Sequence, residues 1–170
     1  MDISHQEYLE IINDNGDVIG IAPRTEIHGD PSLIHRAVHI LIFNQRGELL
    51  LQKRSMSKDL RPGMWDTSVG GHLLPGESPD DGAMREMDEE LGIRLCELTF
   101  LYTYIHSNDV ETEMVTTFRC IYEGKIFPDL DEIDEVRFWG IDEITDNLDK
   151  GVFTPNFEDE FLTYTEWITS

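Results

Sequence analysis

Between Pro79 and Leu91 the apolar residues Ala83, Met87 and Leu91 recur at every fourth position, which predicts a helix with one narrow buried stripe. Gly92 supplies its C-terminal stop. The segments around it read as strands. Tyr8 to Ile12 and Val18 to Ile21 flank the turn Asn13-Asp14-Asn15-Gly16, whose Asn-Gly pair accepts positive φ, so the chain opens on a hairpin. Val38 to Phe43 and Leu49 to Gln52 repeat the pattern around Asn44 to Gly47. The more apolar first strand points to a central place in a sheet. Pro62-Gly63 and Pro75-Gly76 mark loops on either side of Trp65 to Val69. Further strands are expected at Leu98 to Ile105, Met114 to Tyr122 and Val136 to Gly140, then helices at about 141 to 149 and 155 to 168. The C-terminal helix carries Phe153, Phe157, Phe161, Tyr164 and Ile168 near helical spacing, which suits packing on the core or a dimer surface. Strands interspersed with a few helices predict a mixed sheet with helices on its faces.

A length of 170 residues is within the usual range of one domain. With 39% hydrophobic and 28% charged residues the chain has a globular composition. No apolar run approaches the roughly 18 to 20 residues that span a bilayer, and Met1 to Glu10 lacks the basic-then-apolar layout of a signal peptide. The cytoplasm is the expected compartment. Cys96 and Cys120 lack any CxxC or zinc-like spacing and read as buried reduced thiols. Thirteen basic against 35 acidic residues give a net charge of −22, which argues against binding nucleic acid polymers or anionic membrane. A small anionic substrate needs locally concentrated cations. Arg46, Lys53, Arg54, Lys58 and Arg61 outnumber Glu48 and Asp59 in one short stretch.

Within the predicted helix, Glu86, Glu89 and Glu90 stand three and four apart, on one face and away from the apolar stripe. Like charges at that spacing destabilise a helix, and a divalent cation reverses the penalty. Oxygen-only ligands favour Mg²⁺ or Mn²⁺. Arg85, four residues before Glu89, is placed to pair with it. Taken alone, the acidic face is equally an ordinary solvated surface of an acidic protein. Its neighbours add to it: Gly70-Gly71 lets backbone approach a metal or phosphate, and Glu77 leads into the helix.

Gly71, Glu77, Arg85-Glu86-Met87, Glu89-Glu90, Gly92 and Ile93 have the spacing glycine, five residues, Glu, seven residues, Arg-Glu-apolar, one residue, Glu-Glu, one residue, Gly-apolar. This resembles the Nudix signature at every fixed position. The resemblance implies an α/β fold: a Nudix α/β/α sandwich with a mixed central sheet, an N-terminal hairpin at about 7–22 and a signature box at 71–93, in a single domain spanning 1–170. It implies metal-dependent hydrolysis of a nucleoside diphosphate derivative or a related small diphosphate. Metal would be held by Gly71, Glu86, Glu89 and Glu90, with Glu89 as the base or its closest partner. Many members of the family pair as homodimers, and the opening hairpin is where such pairing is expected here.

A second set of residues resembles isopentenyl-diphosphate isomerase, which shares the fold. It comprises His35-Arg36-Ala37-Val38, Ser57-Lys58, Pro62-Gly63-Met64-Trp65 and Ser68-Val69-Gly70-Gly71-His72. By that resemblance His28, His35 and His72 match metal-binding histidines, Glu111 and Glu113 match metal-binding and catalytic carboxylates, and Arg54 and Lys58 match residues that hold the diphosphate. The departures are also specific. Isomerisation needs an acid and a base across the carbon chain. The isomerase supplies one of them from a cysteine where Gly70 stands here, and Asn156 stands where an aromatic residue is expected. The isomerases carry a degraded signature, whereas this one is intact, so hydrolysis is the expected reaction. An isomerase with another acid and a non-catalytic ligand sensor are the competing readings. Trp65, Tyr102, Tyr104 and Phe118 are candidates to stack a base or to line a tunnel for a prenyl tail, or simply to pack the core.

Overall fold

A computed structural model describes residues 6–170; the first five residues of the Met1 to Glu10 stretch lie outside it. The opening hairpin forms as expected from β1 (Tyr8–Ile12) and β2 (Val18–Pro23). Asn13 Oδ1 accepts hydrogen bonds from the Asn15 and Asp17 amides across its turn, and Gly16 takes φ +84°. The short helix α1 (Arg24–Ile27) follows, then β3 (Ile34–Phe43) and β4 (Leu49–Arg54). Two brief strands, β5 (Trp65–Asp66) and β6 (Val69–His72), precede helix α2 (Pro79–Leu91). The chain continues through β7 (Thr99–Ser107), β8 (Thr112–Ile121), β9 (Ile133–Trp139), α3 (Ile141–Asp146) and α4 (Pro155–Thr169).

β3 is the hub of the sheet. It pairs antiparallel with β1, β4 and β6, and parallel with β8 along its full length. Its alternate side chains separate two cores. Val38, Ile40 and Ile42 pack with the Ala83, Met87 and Leu91 stripe of α2 on one face. Leu41 and Phe43 pack with Phe153, Phe157, Phe161 and Tyr164 of the C-terminal segment on the other. The result is a mixed sheet between helices, an α/β sandwich as expected. Ile168 departs from the expected stripe and is exposed.

β3 and β4 start as one hairpin, paired at Phe43 and Leu49, and then diverge. β3 goes on to pair with β6, and β4 with β5 and β9. The buried Ser68 stitches this fork, its hydroxyl accepting from the Ile42 amide of β3 and donating to the Leu50 carbonyl of β4. Without it two buried backbone groups would lack partners, each at about 1–3 kcal/mol. The opening beyond the fork becomes the site.

Candidate active site

A cavity of about 440 Å³ occupies the fork. Ala37, His39, Gly70, Gly71 and His72 line it from one arm, and Gln52, Arg54, Asp66 and Thr67 from the other. Glu86, Glu89 and Glu90 of α2 complete its lining on the helix side. The helix is fixed there by its ends. Ser78 caps the first turn by accepting from the Asp81 amide, Pro79 occupies the first turn, and Gly92 closes the last with φ +66°.

The three glutamates have different environments, although spacing alone made them equivalent. Glu89 is solvent-facing at the rim. Glu86 is packed against Gly71 so closely that a Cβ there would overlap its carboxyl group. Glu90 is half-buried, with Oε1 accepting from Gln52 Nε2 at 2.8 Å and Oε2 shielded from solvent without a partner among the described residues. Burial raises the Glu90 carboxyl well above the ordinary range, and the Glu86 charge adds to the effect. Burial also raises Glu86, a shift that the neighbouring Glu90 carboxyl and the Arg85 charge offset only in part. A partly buried carboxylate pair, an orphaned carboxylate oxygen and a glycine without a side chain against Glu86 are features that suit a hard divalent cation. The residues therefore fit Mg²⁺ or Mn²⁺.

Arg85 does more than pair with Glu89. It reaches Glu89 at 3.2 Å, but its closer contacts are Glu77 at 2.8 and 2.9 Å and Glu86 at 2.8 Å. It also donates to the His72 carbonyl at 3.0 Å. The guanidinium thus ties β6, the loop carrying Glu77 and α2 into one unit. Its hydrogen bond holds the Glu77 carboxyl below the usual carboxylate range.

The second constellation also assembles. His28 ends α1, His35 lies on β3, His72 on β6, Glu111 before β8 and Glu113 on it. One ligand atom from each of His28, His35, His72 and Glu111 lies within 4.8 Å of the others. His28 Nε2 approaches Glu111 Oε2 to 2.8 Å, yet neither atom makes an aligned hydrogen bond. Both His35 nitrogens are likewise buried without one. Such convergence without alignment suits a common cation. Glu113 sits 3.3 Å from His35 and 3.4 Å from His72. Burial pushes its carboxyl up, but the two histidines outweigh this and hold it well below the ordinary range. Successive residues on a strand face opposite ways. Gly71 therefore faces Glu86 while its neighbour His72 faces the histidines, so the two constellations approach β6 from opposite faces, and His72 and Glu113 line the same cavity as Glu86, Glu89 and Glu90.

Burial opposes protonation of His72, but the carboxylates of Glu113 at 3.4 Å and Glu7 at 3.6 Å raise its pKa to about 9. A folded pKa above the unfolded value of 6.5 gives stabilisation that is complete below about 6.5 and lost as pH rises through 9. The raised Glu86 and Glu90 carboxyls act in the same direction above 4.5. The thermal midpoint of the EDTA-treated protein is expected to fall between about pH 6.5 and 9.5. A flat profile across that window would remove the His72 pairing from this account.

Arg54 and Lys58, the expected diphosphate-binding cations, both line the cavity. Arg54 is held by Asp66 at 3.4 Å and Lys58 by Glu132, partners that an incoming anion would have to displace. Arg46 instead belongs to the β3–β4 turn, where it pairs with Glu48. Among the three alternatives for the aromatic candidates, core packing fits their placement: none of Trp65, Tyr102, Tyr104 or Phe118 lines the cavity. Phe118 is in the α2-side core, Trp65 packs on Trp139, and Tyr102 donates to Glu160. Cys120 is buried in that same core with Cys96 packed against it, and neither lines the cavity. Asn156, noted for replacing an aromatic residue, does line it. Sequence reasoning missed His39, Gln52 and Asp66. For His39 a signal existed, a lone polar residue in the run Val38 to Phe43.

A family model described as NUDIX domain matches residues 33–159. An isopentenyl-diphosphate Delta-isomerase from Streptomyces avermitilis is 34% identical over 155 residues, covering 88% of this chain and 79% of its own. An uncharacterized Nudix hydrolase from Pseudomonas aeruginosa is 33% identical over 135 residues, covering 79% of each. Among solved structures, a Deinococcus radiodurans protein superposes with a TM-score of 0.75 at 21% identity, over 87% of this chain and 92% of that one, a likeness of fold.

Proposed function

The chain belongs to the Nudix family, and from that premise we propose that it is a pyrophosphohydrolase using Mg²⁺ or Mn²⁺ to cleave a diphosphate bond in a nucleoside diphosphate derivative or related small diphosphate. The observation that carries the reading is the partly buried Glu86 and Glu90 pair, with Glu86 packed against Gly71, on a cavity that Arg54 and Lys58 also line. The ion supplies charge neutralisation at the diphosphate and acidity to the attacking water. Gly71, Glu86, Glu89 and Glu90 would hold it. Arg85 fixes their geometry, and Arg54 and Lys58 orient the anion. Glu89, at the solvent-facing rim, takes the proton of the attacking water or partners the group that does. Water attacks phosphorus, the bridging oxygen leaves with its electron pair, and two phosphorylated products result.

A second reading, isomerisation or hydrolysis of a prenyl diphosphate, is favoured by the assembled His28, His35, His72, Glu111 and Glu113 site and by the isomerase relative. Against it stand a cavity lined by no thiol and by none of the aromatic candidates. As working assignments, residues 1–170 act as one domain in the cytoplasm, and the hairpin edge with exposed Ile19 and Ile21 pairs across a homodimer. The helices of the described residues include none long and apolar enough to cross a membrane.

The test is a phosphate-release screen with Mg²⁺ or Mn²⁺ against nucleoside diphosphate sugars, dinucleoside polyphosphates, nucleoside triphosphates, thiamine diphosphate and prenyl diphosphates. Release that EDTA abolishes is expected for at least one of them. Isopentenyl diphosphate, followed by NMR, separates the readings: isomerisation keeps the diphosphate attached, and hydrolysis frees it. Isomerisation without hydrolysis of any substrate in the panel would sink the first reading.

A further inference from the structure

His39 lies in the middle of β3, on the face shared with α4, in an otherwise apolar run. It is almost wholly buried, yet its ring borders the cavity. Nδ1 is turned away from the cavity, 3.2 Å from Oε1 of the fully buried Glu160 on α4. That carboxylate is itself pinned: Thr117 donates to Oε1 at 2.7 Å and Tyr102 donates to Oε2 at 2.7 Å. With two hydroxyl donors already in place, Glu160 acts as acceptor toward the imidazole, which puts a proton on Nδ1. No group among the described residues hydrogen-bonds Nε2. This nitrogen lies at Gly70, where a Cβ would come within 3.4 Å of it and within 3.1 Å of the adjacent ring carbon. Gly70 thus keeps a side chain out of the space into which Nε2 opens.

Burial on its own would favour a neutral ring. The hydrogen bond and charge of Glu160, with the charges of Glu113 and Asp66, more than offset this and hold the pKa above that of an ordinary histidine. The arrangement resembles no simple core filling. A histidine needed only to anchor α4 has no reason to leave its second nitrogen unpartnered at a cavity whose other basic side chains, Arg24, Arg54, Lys58 and His72, each stand against a carboxylate.

We propose that His39 is a substrate-contacting residue which, as an imidazolium with Nδ1–H held by Glu160, donates Nε2–H to the diphosphate of the substrate at the Gly70 end of the cavity, with Glu160 as the positioning residue that fixes the ring. The proposal rests on the hydrolase reading and adds to it a contact outside the signature box. Thr117 and Tyr102 act one step further back, by holding Glu160.

The probe is methylenediphosphonate with Mg²⁺, which presents the diphosphate charge without a cleavable bridge. His39→Asn retains a donor toward Glu160 but removes the cavity-facing one, while His39→Gln extends an amide toward the position of Nε2. Calorimetric titration is expected to show affinity roughly 10- to 100-fold weaker for His39→Asn, the worth of a charged hydrogen bond, and largely restored for His39→Gln. Glu160→Gln is expected to give an intermediate loss. In ¹⁵N-labelled wild type, the Nε2 resonance of His39 is expected to move on saturation while Nδ1 moves less. A folded His39→Asn with wild-type affinity overturns the proposal, as does equal weakening of both His39 variants. If His39→Asn does not fold, the wild-type spectrum decides, and an unmoved Nε2 overturns the proposal. Wild type that fails to bind the probe with Mg²⁺ sinks the hydrolase reading and this contact with it, whereas binding insensitive to His39 sinks the contact alone.

Discussion

Glu90→Gln is expected to have opposite effects on turnover and on stability. Turnover with Mg²⁺ should fall by more than the roughly 10- to 100-fold that losing a mere partner of a metal ligand costs, because a ligand itself is removed. The thermal midpoint of the EDTA-treated variant should instead rise above that of wild type. Without a cation, Glu90 is a half-buried acid beside another acid, with one shielded oxygen unpartnered among the described residues. Glutamine keeps the shape and an oxygen to accept from Gln52, but removes the charge whose desolvation and repulsion oppose folding. A residue serving only structure would lose stability on this change. Steady-state kinetics and melting curves with and without Mg²⁺ check both effects, and near-normal turnover would end the assignment of Glu90 as a ligand.

Gly71→Ala is expected to be nearly as damaging for a steric reason. A Cβ at this position would overlap the Glu86 carboxyl carbon and stand 2.7 Å from its Oε2. β6 is held in register with β3 at four positions, so the backbone cannot easily yield and Glu86 must rotate away from the cavity. Displacement of a reacting geometry by about 1 Å costs on the order of 10²-fold, and a loss of that order in turnover, with weakened Mg²⁺ binding, is the expected result. Gly140→Ala is the matched control: its φ is −66° and no atom lies within 4 Å of the new Cβ, so activity should be unchanged. Equal activity of Gly71→Ala and Gly140→Ala would show that the close approach of Gly71 and Glu86 plays no part.

What could be read before the structure, and what could not, follows the range of the interactions. Helix α2 was legible because its signals are local: a proline in the first turn, a stripe, and a stopping glycine. β3 was read as beginning at Val38, four residues late, because Ile34 to Ala37 gain their strand conformation from β1 and β8 rather than from apolar content. β5, β6 and α1 are too short to show periodicity; partners in β3 and β4 impose the two strands. The signature box and the histidine set were visible as patterns, and the fold brings each together. The pairing of Glu90 with Gln52 across 38 residues and of His39 with Glu160 across 121 was not, because no local pattern encodes which distant groups meet. The choice among the alternatives for the aromatic candidates was closed to the sequence for a related reason. Composition shows that Trp65 and Phe118 are large and apolar, but not whether they face the cavity or the core.

The alternation along β3 has a consequence for how the chain acquires its fold. Val38, Ile40 and Ile42 belong to the layer under α2, while His35 and His39 point the other way. A strand that paired with β8 one residue out of step would drive both imidazoles into an apolar layer and present three aliphatic side chains to the charged cavity. Both errors are costly, so mispaired collapsed chains are penalised twice for one slip. The same polar residues that equip the cleft thereby act as proofreading for strand alignment, and replacing them with aliphatic ones would stabilise the wrong pairing along with the right one.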